Sequence, residues 1–245
     1  MFIVLLGCWG TKTQELVQIS TIDALLQGVY EGNTTLHTLS ENGDFGIGTF
    51  NGLDGEMILA DGVFYQVRSD GKIYSPNDKT LSPFASVTFF EAEKEFQLGA
   101  LDYVAFKTKI DGLMPGPNLF YAIKLTGNFR RIKTRSVSKQ EKPYRPLVEV
   151  TASQHEFEAT NIRGTLLGFY CPPYVTGLNV PGYHMHFLSD DKDFGGHLLA
   201  FEMESGMLQL DQINNFSLKL PNDEHFLNTA LDQDLSEDLK QAEGE

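Results

Sequence analysis

Short apolar runs broken by turn dipeptides dominate the sequence from residue 45 to residue 66. The runs lie at residues 45–50, 56–59 and 63–66, and Asn-Gly or Asp-Gly dipeptides lie at residues 51–52, 54–55 and 61–62. These dipeptides favour tight hairpin turns because their residues tolerate a positive φ. The pattern therefore predicts a β-meander of short strands.

Helical periodicity occurs in fewer segments. Ser20 and Thr21 precede apolar residues at positions 22, 25, 26 and 29, which share one helix face, so we expect a capped helix to begin there. A longer helix is predicted at residues 98–113, and the Met-Pro-Gly-Pro sequence at residues 114–117 ends it. Further strands are predicted at residues 85–90, 118–135 and 162–170.

A polar, basic, proline-containing stretch at residues 136–146 separates two strand-rich halves of the chain. We therefore predict an α+β protein of two strand-rich domains, with mixed β-sheets and a few helices. The predicted divisions are an N-terminal segment at residues 1–18, an N-terminal α+β domain at 19–146 and a C-terminal β-rich domain at 147–245. The acidic end of the chain, from residue 223, is predicted to be partly helical.

Three histidines cluster within the second half of the chain. His184 and His186 are spaced so that both side chains project from one face of a strand. A polar turn containing Gly195-Gly196 follows, and a hairpin there brings His197 onto the neighbouring strand. Three converging imidazoles predict a zinc site with an open position on a β-hairpin of the second domain. The alternative is a solvated sheet face that carries unrelated polar residues.

The net charge of -14, from 33 acidic and 19 basic residues, disfavours nucleic acid as a partner because phosphate backbones are repelled. No apolar run approaches the roughly 20 residues that cross a bilayer, so no transmembrane span is predicted. Cys8 and Cys171 are too few for a disulfide framework. Residues 1–8 are apolar and end in Leu-Leu-Gly-Cys, which is either a remnant of a lipoprotein signal or a buried first strand. The location therefore stays open between cytoplasmic and exported or lipid-anchored.

Four short sequence motifs occur along the chain and are specific when taken together. They are Tyr-His-Met-His-Phe at residues 183–187, Gly-Gly-His at 195–197, Gly-Leu-Asp-Gly-Glu-Met at 52–57 and Lys-Thr-Arg-Ser-Val at 133–137. In these segments and in their order, the chain resembles bacterial α-acetolactate decarboxylase. The resemblance extends over residues 21–243, which is nearly the whole chain.

The resemblance implies a homodimeric enzyme of two-domain α+β subunits that converts 2-acetolactate to (R)-acetoin and carbon dioxide. It also implies that the three histidines hold zinc, which acts as a Lewis acid for the enediolate that forms as carbon dioxide leaves. Glu56 corresponds to a glutamate near the metal, and Arg135 corresponds to an arginine that faces the substrate. Glu243 corresponds to a glutamate of the C-terminal tail that folds back into the site.

Strand parity adds an expectation about charge. Arg131, Lys133 and Arg135 share one strand face, which either lines a cleft for an anionic substrate or forms a solvated face.

Other functions remain open from the residues alone. One is another zinc lyase or hydrolase, in which Glu56 is the base near the metal. Another is a non-enzymatic module that holds a structural metal, for which Cys171 is the nearest cysteine. A DNA-associated protein is a further alternative, which the negative charge disfavours.

Overall fold

The computed structural model describes residues 14–243 and is rich in strands. The strands are β1 (Glu15–Ile19), β2 (Thr34–Thr35), β3 (Phe45–Thr49), β4 (Glu56–Ala60), β5 (Val63–Val67), β6 (Ile73–Tyr74), β7 (Leu81–Ser82), β8 (Ala85–Thr88), β9 (Lys94–Leu98), β10 (Leu101–Asp102), β11 (Phe120–Ser136), β12 (His155–Cys171), β13 (Gly182–Ser189), β14 (Gly195–Ile213) and β15 (Asn215–Lys219). The α-helices are α1 (Ile22–Leu26), α2 (Leu36–Ser40), α3 (Tyr103–Asp111), α4 (Leu147–Thr151), α5 (Glu224–Asn228) and α6 (Ser236–Glu243), and a 3-10 helix spans Pro173–Val175.

The first sheet contains seven strands in the order β15-β1-β8-β3-β4-β5-β6. The strands β1 and β15 run parallel, whereas the other neighbouring pairs are antiparallel. The sheet is therefore mixed, and the predicted α+β class with mixed β-sheets and a few helices is confirmed.

The predicted meander is confirmed as β3, β4 and β5, with a difference in its turns. Asp61 and Gly62 have φ values of 50° and 79°, as a two-residue hairpin turn between β4 and β5 requires. Residues 50–55 instead form one longer loop between β3 and β4, so the other two dipeptides share that loop. Positive φ values of 72°, 56° and 84° occur in this loop at Gly52, Leu53 and Gly55.

The second sheet has six strands: β10, β14, β11, β12 and β13 in that order, with β9 also paired to β14. Its central strands are long, with 17 residues each in β11 and β12 and 19 residues in β14. The start of β14 also pairs with β13, where His186 lies opposite His197. The sheet therefore closes on itself at this end, and this closure positions the candidate site.

The predicted helix at residues 98–113 is wrong at its start. Leu98 is the last residue of β9, Leu101 and Asp102 form β10, and α3 begins only at Tyr103. Asp102 sets this start, because its carboxylate accepts a backbone N–H of the first turn at 2.8 Å. The earlier helix begins where it was predicted, at α1, and Thr21 caps it by accepting a backbone N–H at 3.2 Å.

The two sheets pack against a shared apolar core. Phe45 of the first sheet and Phe169 of the second lie edge to face, with ring centroids 5.6 Å apart.

Strands from the two sides of residue 146, the predicted domain boundary, pair with each other. The strand β11 pairs with β12, and β1 pairs with β15. The predicted domain divisions stay predictions, and residues 1–8 lie outside the described part of the chain. Within residues 14–243, none of the helices has the length and apolar character that a membrane span requires.

Candidate active site

Three histidines meet where β13 and β14 close the second sheet. His184 and His186 project from one face of β13, and His197 is the strand partner of His186 on β14. One nitrogen from each ring lies within 4.8 Å of the others. Their side chains are only 11%, 1% and 6% exposed, respectively. We call these three residues the tripod.

The turn between β13 and β14 brings His197 opposite His186. Ser189 Oγ accepts two backbone N–H groups of the turn, at 3.2 and 3.0 Å. Gly196 has a φ of 133°, and a Cβ at this residue would lie 2.6 Å from the carbonyl oxygen of Arg135. A glycine is therefore required for β14 to approach β11 this closely at the start of the strand.

The tripod fits a divalent metal ion. His186 Nδ1 lies 3.0 Å from the carbonyl oxygen of Met57 and must be the donor, which leaves the lone pair on Nε2. Within the described chain, this buried Nε2 has no hydrogen-bond partner. Burial lowers the pKa of His184 to about 3 and lowers the pKa values of His186 and His197 well below the usual value. The imidazoles are therefore neutral, which is the form that binds a metal.

Glu56 approaches the tripod from the first sheet. It is the first residue of β4, and its Oε2 lies 3.7 Å from His186 Nε2. The preceding Gly55 has a φ of 84°, and a Cβ there would lie 2.2 Å from the carbonyl oxygen of Val67. The loop can therefore enter β4 at this point only through a glycine.

Glu243 approaches the tripod from the end of α6. Its Oε2 lies 3.7 Å from Nε2 of both His184 and His197. The helix is held in place by Leu239 and Ala242, which are buried in an apolar cluster with side chains of α1 and α4. Because the imidazoles are neutral, these carboxyl–imidazole contacts are not ion pairs.

Both glutamates resist ionisation because they are buried. Burial raises the pKa of Glu56 to about 7, while the Arg135 cation opposes the rise and Glu243 adds to it. Burial also raises the pKa of Glu243, and Arg135 again opposes the change. One buried cation thus acts on two buried carboxyl groups, and burial favours the protonated form of both.

Arg135 completes the polar end of the site. It lies on β11 opposite His197 and is 4% exposed. Its Nη2 lies 3.8 Å from Glu243 Oε1. Among the described residues, its buried Nε has no hydrogen-bond partner, which leaves a charged donor for an anionic ligand.

The other two members of the predicted basic stripe lie outside the site. Arg131 and Lys133 pair with Glu158 and Glu156 of β12, at 2.7 and 2.6 Å, and remain partly exposed. The stripe runs along β11 away from the tripod, and at about 3.3 Å per residue Arg131 lies about 13 Å from Arg135. Arg131 and Lys133 therefore lie away from the tripod, each paired with an acidic residue, and they line a separate cleft of about 220 Å³.

A cavity of about 40 Å³ is lined by the tripod together with Glu56, Arg135 and Glu243. Its polar end adds Thr49, and its apolar wall is formed by Ile22, Leu25, Leu53, Phe84, Val137 and Leu147. No sequence motif points to Thr49 or to most of this wall, because these residues come from segments that lie far apart in the chain. Glu243 also lines an outer cleft of about 330 Å³ between α6 and residues 173–181. Its side chain therefore lies between the cavity and the surface.

A sequence model of a protein family, alpha-acetolactate decarboxylase, matches residues 16–233. The chain belongs to the alpha-acetolactate decarboxylase family. The alpha-acetolactate decarboxylase of Methanosarcina mazei is 48% identical over 229 residues, which cover 93% of this chain and 80% of that protein. The alpha-acetolactate decarboxylase of Bacillus subtilis strain 168 is 42% identical over 240 residues, which cover 96% and 94% of the two chains.

Solved structures of the family share the fold. The crystal structure of alpha-acetolactate decarboxylase from Bacillus subtilis strain 168 superposes with a TM-score of 0.92 at 41% identity, covering 94% of this chain and 100% of that chain. A Staphylococcus aureus protein described as similar to alpha-acetolactate decarboxylase superposes with a TM-score of 0.90 at 33% identity, covering 93% and 99%. The resemblance seen in the sequence motifs is therefore confirmed as family membership.

Proposed function

We propose that this chain decarboxylates 2-acetolactate to (R)-acetoin and carbon dioxide. The observation that carries the proposal is a buried tripod of neutral imidazoles, beside which lie a buried arginine and two buried carboxyl groups. The names of the curated relatives support the same reaction. A β-keto acid that loses carbon dioxide leaves an electron pair on carbon. The site must therefore stabilise negative charge and deliver a proton.

We propose zinc as the metal that the tripod holds. Three imidazoles with an open position form a common catalytic zinc site, and nitrogen ligands suit zinc better than magnesium or calcium. When bound, the ion supplies Lewis-acid stabilisation of the negative charge that develops on substrate oxygens. The hydrogen bond from His186 to the Met57 carbonyl fixes the tautomer and the ring orientation that a ligand needs.

Arg135 binds the carboxylate of the substrate in this proposal. Its guanidinium is permanently charged and presents planar donors, which match the two oxygens of a carboxylate. Because the side chain is 4% exposed, solvent screens the attraction weakly. The nearby Glu243 Oε1, at 3.8 Å, limits the orientations that the guanidinium adopts.

Glu56 and Glu243 hold the proton that replaces the departing carbon dioxide. Burial raises the pKa of both carboxyl groups, and that of Glu56 reaches about 7. Both carboxyl groups lie 3.7 Å from imidazole nitrogens of the tripod, within reach of a substrate bound there. A donor fixed on one side of the substrate protonates one face of the carbon, so a single enantiomer of acetoin forms.

Another zinc lyase or hydrolase is the second candidate function. The 3.7 Å distance between Glu56 Oε2 and His186 Nε2 also suits a base that activates water beside a metal. Ester hydrolysis without acetoin formation would favour this candidate. A structural-metal module is disfavoured, because Cys171 is buried in the core between the sheets and is not part of the histidine group found among the described residues.

We also propose that the chain forms a homodimer. The support for this assembly is the resemblance to the family, whose members form homodimers.

Chelation tests the reaction and the metal together. Purified protein is expected to release carbon dioxide and (R)-acetoin from racemic 2-acetolactate, to lose this activity after chelation and to regain it with added zinc. Acetoin is measured by chiral chromatography, and bound metal is measured in the same samples. Turnover by metal-free protein would contradict the role of zinc. Absence of turnover with one zinc bound per chain would contradict the decarboxylase and favour the hydrolase or the binding module.

Glu243→Gln tests the carboxyl group of the tail. It removes the ionisable group 3.7 Å from two imidazole nitrogens and keeps the side-chain volume. Because the tripod is untouched, we expect bound zinc to remain and kcat to fall about 100-fold. Glu237→Gln, at a side chain of the same helix that is 87% exposed, is the matched control. Normal turnover in Glu243→Gln would remove Glu243 from the mechanism.

A further inference from the structure

The site is assembled across the interface between the two sheets. The tripod and Arg135 belong to the second sheet, whereas Glu56 belongs to β4 of the first sheet. Because Glu56 Oε2 and His186 Nε2 are 3.7 Å apart, a small shift between the sheets changes the position of the carboxyl group relative to the tripod. The contacts that fix the sheets beside Glu56 therefore bear on the chemistry.

Ser136 makes one of these contacts. It directly follows Arg135 on β11 and is fully buried, and its Oγ donates to the carbonyl oxygen of Val67 at 2.8 Å. Val67 ends β5 and is the register partner of Glu56. A side chain of the second sheet thus holds the backbone of the first sheet at the position opposite Glu56.

A second contact fixes the next residue along β4. His186 Nδ1 donates to the carbonyl oxygen of Met57 at 3.0 Å, and Met57 directly follows Glu56. Two hydrogen bonds from the second sheet therefore lie beside Glu56. One ends at Met57 on β4, the strand of Glu56, and the other ends at Val67 on the neighbouring β5. Removal of the histidine would also destroy the tripod, so the Ser136 bond is the one that can be tested separately.

Thr134 makes a related contact on the other side of Arg135. It is fully buried, and its Oγ1 donates at 2.9 Å to the carbonyl oxygen of Gly195, two residues before His197. Val67 packs against the same glycine, where a Cβ would lie 3.2 Å from Val67 Cγ2. The two hydroxyl groups that flank Arg135 therefore hold strands of both sheets against β11.

We propose that Ser136 is a positioning residue that places the carboxyl group of Glu56 relative to the tripod. This inference rests on the proposed function, in which that carboxyl group supplies a proton. Ser136 does not line the cavity, so its effect passes through the carbonyl of Val67. A misplacement of about 1 Å lowers a rate by up to about 100-fold, so loss of this single contact is expected to affect turnover.

Ser136→Ala removes the hydroxyl group and keeps a small side chain. We expect kcat to fall about tenfold or more while KM changes little, because the tripod and Arg135 belong to one sheet and keep their positions. We expect one zinc per chain to remain bound. The visible spectrum of Co²⁺-loaded protein should shift, because it reports the groups around the ion.

Ser86→Ala is the matched control. Ser86 is a buried serine of the first sheet whose hydroxyl accepts from Asn179 Nδ2 at 3.2 Å, and it does not line the cavity. This variant is expected to lose thermal stability comparable to that lost by Ser136→Ala. Its kcat, KM and Co²⁺ spectrum should match those of the wild type.

Unchanged kcat in Ser136→Ala, or equal decreases in the two variants, would overturn the positioning role. The Co²⁺ spectrum separates this role from the proposed reaction. If the wild type forms no acetoin, a shift in Ser136→Ala alone still supports positioning, and an unchanged spectrum overturns it. Should the alanine variant fail to fold, Ser136→Cys keeps a weak donor, and an intermediate kcat with a smaller spectral shift is expected. Wild-type values in that variant would contradict the proposal.

Discussion

Replacement of His186 by alanine is expected to remove bound zinc and acetoin formation together. His186 is the most buried member of the tripod, at 1% exposure, and its ring is already fixed by the Met57 carbonyl. Loss of a group that only orients a ligand lowers metal affinity about 10- to 100-fold, so loss of the ligand itself should exceed this range. Metal content after dialysis and acetoin release from 2-acetolactate measure the two effects in the same sample.

His37→Ala is the control for this experiment. His37 lies on α2, and its side chain is 67% exposed beside Glu41, so its loss should leave zinc content and turnover unchanged. His186→Ala also removes a buried hydrogen bond and should lower the free energy of unfolding by about 1–3 kcal/mol. Circular dichroism must therefore show that the variant is folded. A folded His186→Ala protein that is active without metal would contradict the assignment of the tripod.

The tripod could be predicted from the sequence because its geometry is local. Alternation along a strand places His184 and His186 on one face, and a short turn returns the chain at His197. A hairpin needs no information about distant parts of the fold. Spacing and turn residues alone therefore predict that these three imidazoles converge.

The two glutamates could be assigned to the site only through the resemblance. Glu56 and His186 come from different sheets, and their proximity depends on how the shared core packs the sheets together. Glu243 reaches the tripod because Leu239 and Ala242 dock α6 against a cluster built from several elements. Spacing along the chain carries no signal for either contact, because both are decided by tertiary packing.

The local pattern of apolar residues also predicted the wrong secondary structure where a segment pairs with a distant strand. Leu98 and Leu101 fit a helical repeat, yet they lie in β9 and β10 because both strands pair with β14. Leu53 adopts a φ of 56°, a conformation uncommon for residues other than glycine, and contributes to the cavity wall. The sequence around it predicts a turn, but it does not predict that the turn exposes a leucine to the cavity.

Arg135→Ala is expected to leave zinc bound and to lower kcat/KM about 100- to 1,000-fold. The tripod lies on β13 and β14, so its ligands are retained when a side chain of β11 is removed. The substrate carboxylate then loses its buried cation, and Glu243 loses the charge 3.8 Å from its Oε1. Because Arg135 opposes the burial that raises the pKa of Glu243, its removal raises that pKa further. Steady-state kinetics and zinc content measure the effect.

Two further variants separate the possible roles of this arginine. Arg131→Ala removes a partly exposed arginine of the same strand that pairs with Glu158, so its kinetics should be normal. Arg135→Lys keeps the charge but loses the planar donors, so we expect activity between that of the alanine variant and the wild type. Full activity in the lysine variant would mean that charge alone acts on the carboxylate. Normal kinetics in Arg135→Ala would exclude Arg135 from the mechanism, and the substrate carboxylate would then need a different partner in the cavity.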